Sequence, residues 1–510
     1  MDDASAAGEA IERDRTVAVV GTGTMGQGIA QVALVAGHPV RLYDSAPGRA
    51  AEAVAAIGAR LDRLVEKGRL DAAVREEAGG RLRAAEELAE LADAALVVEA
   101  IVEDLAVKQR LFADLEKTVA DDALLATNTS SLSVTAIAGG LRLPGRFVGL
   151  HFFNPAPLLP LVEVVRGFAT DETAATRAYE TVLGWGKTPV RCADTPGFIV
   201  NRIARPFYAE AFRVYEERGA DPATVDAALR ESGGFRMGPF ELTDLIGQDV
   251  NEAVTRSVWE SFFMDPKFTP ALAQRRLVES GRLGRKTGHG WFPYQEGAER
   301  PAPRTEPPAK APERIIVRGD LGPAAPLAGL FEEAGVVVRR KRGDGFIELP
   351  TGMKLCLVDG ESSFEFHQEE IAYFDLALDY AAATRIVLSV REGTAPDAVA
   401  EAVGLFQAIG KQVSVIGDVP GMIVGRTVAM LVDLAVDAVD RGVATAEDID
   451  TAMRLGVNYP VGPLEWAEKI GYRRVCALLG QLHERYPTGR YAPAVGLVRR
   501  GYTEEAEEAR

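Results

Sequence analysis

Thr16-Val-Ala-Val-Val-Gly21-Thr-Gly23-Thr-Met-Gly26 is the stretch that decides the fold. Thr16 to Val20 is a short apolar run between charge (Asp14, Arg15) and glycine, which reads as a buried parallel strand. The glycines fit G-x-G-x-x-G, a spacing that gives a tight turn, close approach of backbone to a pyrophosphate, and close packing of helix on strand. The apolar segment Ile29–Ala36 reads as helix, and a helix opening there offers free N–H groups and its positive dipole end. Pro39 to Tyr43 then gives a second strand, closed by Asp44, 18 residues after Gly26 and near the ~20 expected of a β-α-β dinucleotide unit.

Gly21, Gly23, Thr24, Met25 and Gly26 are therefore the candidate cofactor loop. Asp44 can accept hydrogen bonds from both ribose hydroxyls and would repel a 2′-phosphate, which favours NAD over NADP. Arg49 is the one nearby cation that could offset this, and the bland role of Asp44 is a turn residue before Ser45 and Pro47.

Working outward, residues 49–92 read as a helical hairpin inserted after the second strand. Strands at 95–99, 123–127 and 147–150, with a helix at 104–119, extend the pattern to a doubly wound α/β sheet of parallel strands. From about 194 long helical segments dominate, and 297–312, rich in Pro and charge, reads as an exposed linker. Strands return at 314–317, 335–339 and 385–390. An internal repeat orders the whole: Asp194-Thr-Pro-Gly-Phe-Ile-Val-Asn-Arg202 recurs as Asp418-Val-Pro-Gly-Met-Ile-Val-Gly-Arg426, Asp226 as Asp450, Gly238-Pro239 as Gly462-Pro463, Glu241 as Glu465, and Ile246-Gly247 as Ile470-Gly471, always 224 residues apart. The expected organisation is a tail (1–15), a Rossmann-type domain with the hairpin (16–193), a helical domain (194–296), the linker, a degenerate Rossmann-like segment (313–410) and a second helical copy (411–510).

Composition narrows the class of function. A chain of 510 residues holds about three to four domains. Its net charge of −17 disfavours nucleic acid and anionic membrane as partners. Cys192, Cys356 and Cys476 are too few for a disulfide framework, and no Cys/His cluster has metal-ligand spacing. The acidic start is unlike a secretory signal, and no uncharged apolar run approaches the ~20 residues that span a bilayer. The expectation is a cytoplasmic protein without a metal.

His151 follows a strand in His-Phe-Phe-Asn154-Pro, at the carboxyl edge where ligands of open α/β sheets bind, and its ring takes protons near neutral pH. Glu163 interrupts the apolar run Leu-Val-Glu-Val-Val, and a buried carboxylate needs a partner such as an imidazole N–H. Taken alone each residue is more often structural, but beside a dinucleotide loop the pair points to acid–base chemistry.

With these residues, and with Val97–Glu103, Thr127-Asn-Thr-Ser-Ser131, Leu161–Val165 and Asp194–Arg202, the first 300 residues resemble the 3-hydroxyacyl-CoA dehydrogenases, which oxidise (3S)-3-hydroxyacyl-CoA thioesters with NAD. The long form, with Asp448–Pro460 in its second helical copy, resembles the branch that acts in bacterial phenylacetate degradation and turns 3-hydroxyadipyl-CoA into 3-oxoadipyl-CoA. The resemblance implies that His151 is the general base, that Glu163 orients it, and that Ser130 and Asn201 hydrogen-bond the reacting oxygens. It implies that Glu103, Lys108, Ser130 and Asn154 surround the NAD, and that Lys67, among Arg60, Arg63 and Arg69, meets the CoA phosphates. Structural alternatives stand beside these: Ser130 as a helix cap, Asn201 as a surface amide, Glu103 as a helix-start carboxylate, the Lys67 cluster as a solvated face.

In the repeat Asn201 becomes Gly425, and 313–410 lacks a glycine fingerprint apart from the faint Gly319-Asp-Leu-Gly322. One site per chain is expected, with the second helical copy packed on the first as an intrachain pseudo-dimer and a homodimer of whole chains as a further option. Gly425→Ala is expected to matter little. Alternative functions are a short-chain 3-hydroxybutyryl-CoA dehydrogenase, or a non-catalytic NAD- or CoA-binding protein on the same fold. The short segment before the first strand disfavours a fused hydratase. A distal adipyl carboxylate would want a cation, with Arg202, Arg205 and Arg236 as candidates.

Overall fold

A computed structural model describes residues 9–361 and 370–508; the first eight residues of the expected tail lie outside it. The chain forms two compact units, one of residues up to Val200 together with Arg441–Val457, the other of Asn201–Asp440 and Asn458–Arg510.

The first unit runs β1 (Thr16–Val20), α1 (Thr24–Val35), β2 (Val40–Tyr43), α2 (Arg49–Glu66), α3 (Ala72–Arg81), β3 (Leu82–Ala85), β4 (Ala94–Glu99), α4 (Leu105–Thr118), β5 (Leu124–Thr127), α5 (Val134–Ala138), β6 (Phe147–Phe152), β7 (Leu161–Arg166), α6 (Glu172–Gly184) and β8 (Thr188–Ala193). Its eight strands order as β3-β2-β1-β4-β5-β6-β7-β8. The topological switch lies beside β1, whose neighbours β2 and β4 both run parallel to it. Three expectations change here. The sheet is mixed, because β7 turns back antiparallel to β6. The hairpin stops at Arg81, and Leu82–Ala85 adds an edge strand parallel to β2. His151 sits inside β6 rather than after it. Central strands β1, β4 and β5 are buried throughout, as near-continuous Val, Leu and Ala runs covered on both faces must be.

The second unit begins in α7 (Val200–Ile203), which spans the junction, and continues with α8 (Arg205–Glu216), α9 (Pro222–Glu231), α10 (Pro239–Ile246), α11 (Gln248–Ser261) and α12 (Leu272–Glu279). A second sheet follows, β9 (Arg314–Arg318), α13 (Pro326–Glu333), β10 (Val337–Lys341), β11 (Phe346–Glu348), β12 (Lys354–Leu357), β13 (Ile371–Phe374), β14 (Arg385–Val390), α14 (Pro396–Ala408) and β15 (Gln412–Ile416). Its order is β10-β9-β11-β12-β13-β14-β15. The sheet therefore reaches past the expected boundary at 410. Residues 297–312 are exposed over most of their length, as expected of the linker, but they are also tied down: Glu306 N–H donates to Val413 O at 2.8 Å, Ala309 N–H to Gln407 at 2.8 Å, and Arg385 binds the Arg304 carbonyl at 3.2 Å. The segment thus covers the outer edge of β15, an edge that would otherwise be open to foreign strands.

The last helices are α15 (Val424–Asp440), α16 (Ala446–Val457), α17 (Pro463–Ile470), α18 (Tyr472–Arg485) and α19 (Val495–Glu508). Although α16 belongs by sequence to the second helical copy, it packs in the first unit on β7 and β8. There Ala193 N–H donates to Val443 O at 2.8 Å. In the second unit α9, the counterpart of α16, packs on β14, and Gly417 N–H donates to Gly219 O at 3.1 Å. Residues 193 and 417, and 219 and 443, are both 224 apart, so one hydrogen bond is made twice with the copies exchanged. Within the second unit α8 packs on α15, which contains its own repeat counterpart. Phe235 meets its counterpart Tyr459 at 5.0 Å between ring centroids. Arg490 binds the carbonyl of its counterpart Pro266 at 3.2 Å.

The repeat extends, unseen in sequence, to the sheet itself. His151 corresponds to Asp375 and Glu163 to Val387. Asp375 is buried and accepts N–H bonds from Ile423 (3.0 Å), Val424 (2.8 Å) and Gly425 (2.9 Å) at the start of α15. Gly425 is closely packed: a Cβ there would stand 2.7 Å from Val358 Cγ1, so alanine would press on the packing of the second unit.

Candidate active site

Gly21, at φ +100, turns the chain out of β1, and a Cβ would come within 2.5 Å of the Ala100 carbonyl oxygen. At Gly26 a Cβ would lie 1.8 Å from Gly21 O, so only hydrogen allows α1 to pack on β1. Gly23 differs, since nothing lies within 4 Å of its would-be Cβ. That open approach is what a pyrophosphate over the helix start requires. Gly23 caps α1 without a side-chain hydrogen bond, and no acidic residue occupies the first turn. The N–H groups and positive dipole end are left for an anion, with Thr24 and Met25 in that turn.

Asp44 closes β2 half-exposed and accepts from Thr22 Oγ1 (2.6 Å), Thr22 N (3.0 Å) and Ala46 N (3.0 Å). It combines the turn role and a tie to the glycine loop. Partial burial works to raise its carboxyl, but these hydrogen bonds and Arg49 hold it below the usual range. It stays an anion, as a ribose acceptor must.

At the end of β4, Glu99 is fully buried and meets the buried Lys108 ammonium at 2.5 Å, while also accepting from Thr127 Oγ1 (2.7 Å) and Ile101 N (2.7 Å). Lys108 reaches Glu103 at 3.2 Å. Glu103 is no idle helix-start carboxylate; that place is taken by Asp104, which caps α4. Glu103 accepts from Thr129 Oγ1 (2.6 Å), Ser131 Oγ (2.9 Å) and the N–H groups of Ser130 and Ser131 (3.1 Å each). Against the effect of burial, these donors and Lys108 keep it below the ordinary carboxylate range. The ladder leaves the Ser130 hydroxyl without a hydrogen bond among the described residues. The cap of α5 is Ser133, not Ser130.

Antiparallel pairing puts His151 of β6 directly opposite Glu163 of β7. Nδ1 and Oε2 are 2.6 Å apart, and the two side chains are 8% and 0% exposed. The carboxylate is acceptor-only, so Nδ1 carries the proton and Nε2 presents its lone pair. Nε2 has no hydrogen bond among the described residues. Glu163 Oε1 accepts from Ile199 (3.0 Å) and Val200 (2.9 Å) N–H groups. Phe153 and Phe198 flank the imidazole, with centroids at 4.5 and 5.7 Å. Asn128 Oδ1 accepts from Phe152 N at 2.9 Å and ties the 127–131 loop to the end of β6.

A cavity of about 640 Å³ opens beside α1, lined by Thr24, Gln27, Asn154, Arg60, Arg69 and Lys187 among others. Lys187 donates to the Ala156 (2.5 Å) and Leu159 (2.9 Å) carbonyls and so fixes the loop bearing Asn154. Lys67 sits exposed at the end of α2 and does not line the cavity, whereas Arg69 does. Arg60 is engaged by Gln27 (2.8 Å) and Gln31 (3.1 Å). Asn201 is the second residue of α7 and half-buried. Of the cations considered for an acyl tail, Arg202 is paired with Asp437 at 2.8 Å, Arg236 is exposed, and Arg205 is buried. Glu99 and Asn128 escaped the sequence reading. Glu99 carries a signal like that of Glu163, a lone carboxylate in an apolar strand, but at the strand's end rather than within it.

Residues 16–195 match the 3-hydroxyacyl-CoA dehydrogenase NAD binding domain, and residues 197–294 and again 421–508 match the 3-hydroxyacyl-CoA dehydrogenase C-terminal domain. The chain belongs to the 3-hydroxyacyl-CoA dehydrogenase family. Residues 355–420 match the 3-hydroxybutyryl-CoA dehydrogenase reduced Rossmann-fold domain, in accord with the seven-stranded second sheet. Among the family's members, the 3-hydroxyadipyl-CoA dehydrogenase of Escherichia coli K12 is 43% identical over 495 residues, 97% of this chain and 99% of the relative. The 3-hydroxybutyryl-CoA dehydrogenase of Mycobacterium tuberculosis is 42% identical over 290 residues, 56% of this chain and 99% of that protein. A crystal structure of 3-hydroxybutyryl-CoA dehydrogenase from Escherichia coli K12 superposes with a TM-score of 0.88 at 42% identity, covering 97% of this chain and 99% of that one. NAD is the family's cofactor, and the open Gly23, the uncapped α1 and the anionic Asp44 fit it. Among the described residues no helix is long and apolar enough to cross a membrane.

Proposed function

We propose that this chain oxidises the C3 hydroxyl of a (3S)-3-hydroxyacyl-CoA to the 3-oxoacyl-CoA, and that 3-hydroxyadipyl-CoA, giving 3-oxoadipyl-CoA in phenylacetate degradation, is its substrate. One observation carries the reaction: a buried 2.6 Å His151–Glu163 pair with a free Nε2, on the sheet that also bears the glycine loop. NAD, when bound, supplies the hydride acceptor. His151 Nε2 takes the hydroxyl proton while the electrons of the C3–H bond depart as hydride and the C–O bond becomes a carbonyl. Glu163 holds the ring in its tautomer and faces the imidazolium that forms. Ser130 and Asn201 donate to the reacting oxygens, and Glu103, Lys108 and Asn154 border the cofactor. Lys67, with Arg69, meets the CoA phosphates.

The adipyl substrate is supported by the relative of that name, similar over nearly the whole chain. A short-chain reading is favoured by the similar 3-hydroxybutyryl-CoA dehydrogenase crystal structure, which covers an equal share of the chain. Measuring kcat/KM for 3-hydroxyadipyl-CoA and 3-hydroxybutyryl-CoA decides, with the first expected to be larger. Reduction of acetoacetyl-CoA by NADH tests the reaction itself; NAD binding without turnover would leave a binding protein.

We also infer that the two helical copies form an intrachain pseudo-dimer. Support comes from the contacts between residues 224 apart, the signature of an isologous two-fold contact. Residues 1–298 expressed alone should be unstable or should self-associate; a stable, fully active monomer would refute the reading. A cytoplasmic location is part of the same proposal, since three cysteines in 510 residues suit a reducing compartment.

A further inference from the structure

Among the described residues six arginines are less than one-tenth exposed: Arg146, Arg202, Arg205, Arg385, Arg426 and Arg490. Five have a carboxylate within ion-pair distance. Arg146 lies 3.9 Å from Glu116, Arg202 2.8 Å from Asp437, Arg385 2.9 Å from Glu231, Arg426 3.0 Å from Glu217 and Arg490 2.5 Å from Glu210. Arg205 has none. Its one hydrogen bond runs from Nη1 to Thr255 Oγ1 at 3.1 Å, and its guanidinium lies 5.1 Å from the centre of the Tyr208 ring. A guanidinium brings five N–H donors and a charge that cannot be discharged. Leaving it buried without an anion is costly, and cation–π contact offsets only part of that. Beside it the hydroxyl of Tyr459, which interacts electrostatically with Arg205, is buried without a partner, as is Arg205 Nε.

We propose that Arg205, with Thr255 and Tyr459, forms the subsite that receives the distal carboxylate of a dicarboxylyl thioester. This rests on the substrate reading above and supplies its missing cation. Spacing agrees with it. Arg205 follows Asn201 by four residues, and Ala204 between the two helices keeps right-handed helical dihedrals. The two positions are thus about one helical turn apart, roughly 5.4 Å. In a six-carbon diacid thioester the carbon that is oxidised and the terminal carboxyl carbon are separated by three carbon–carbon bonds, a comparable reach.

The test compares the wild type, Arg205→Met and Tyr459→Phe. Arg205→Met keeps the bulk and removes the charge. It should lower the ratio of kcat/KM for 3-hydroxyadipyl-CoA over 3-hydroxybutyryl-CoA by about tenfold to a hundredfold, mostly through KM, with Tm held or raised. Tyr459→Phe should lower the same ratio by a smaller factor. Equal losses on both thioesters, or an unchanged ratio, would overturn the subsite, and if Arg205→Met does not fold the Tyr459→Phe ratio decides. A wild type that prefers the butyryl thioester would count against the substrate reading instead. Free adipate separates the two: it should raise the Tm of the wild type more than hexanoate does, and lose that advantage in Arg205→Met. Equal shifts by the two acids in the wild type would refute the subsite, whatever the turnover.

Discussion

At matched positions of the repeat the two halves hold His151 opposite Glu163 and Asp375 opposite Val387. In the first half one carboxylate has two duties: one oxygen holds the imidazole, and the other receives the N–H groups of Ile199 and Val200. In the second half the carboxylate has crossed to the histidine's strand and keeps only the second duty, taking Ile423, Val424 and Gly425. Opening a helix buried against the sheet leaves backbone donors that need an acceptor, so that demand is met by a carboxylate in both halves. At the matched position the second half carries no imidazole. A buried acid in a repeat can therefore serve a helix start alone, without an imidazole beside it.

The strongest way to break this contrast is His151→Gln, expected to lower kcat by about 10²–10⁴-fold; near-normal turnover would remove the imidazole from the mechanism. Glu163→Gln keeps the shape but loses the charge on both hydrogen-bonded sets. It should cost turnover about 10–10² and also lower Tm, whereas a loss in one alone would separate its duties. Asp375→Ala should leave kcat/KM unchanged and reduce stability by about 1–3 kcal/mol, since it orphans buried N–H groups. Burial pushes the Asp375 carboxyl from 3.8 up to about 6. The stability it contributes is therefore present below about pH 4 and lost as pH rises through 6, a slope the alanine variant should lack. Gly425→Ala should give the smallest change, about 1–3 kcal/mol of overpacking or less if Val358 yields, with turnover intact. Denaturation midpoints and steady-state kinetics on the same preparations check all four.

The glycine loop, Asp44, His151 and Glu163 were legible because each breaks a local pattern: glycines where a helix starts, carboxylates in or after apolar runs. Glu99 breaks the pattern in the same way and was passed over, since it closes its strand where charge is common. Leu82–Ala85 escaped because a short edge strand carrying Arg83 has no clear alternation. The order 297–312 acquires comes from partners a hundred residues away in sequence, invisible to composition. The exchange of α9 and α16 was hidden for a deeper reason. A repeat states that two segments are alike; it does not state which neighbour each one chooses. Arg205 is legible in sequence only as a charge; what sets it apart is that no carboxylate among the described residues pairs with it, which the fold alone decides.

The seating of Arg441–Val457 on β7 and β8 bears on which substitutions matter. Substitutions at 375 and 425 meet the hydrogen-bonding and packing constraints of the second unit. Those between 441 and 457 act on the strand that carries Glu163. Tolerance to substitution in the second half should therefore be patchy, and a truncation that discards it would strip the cover from β7 and β8.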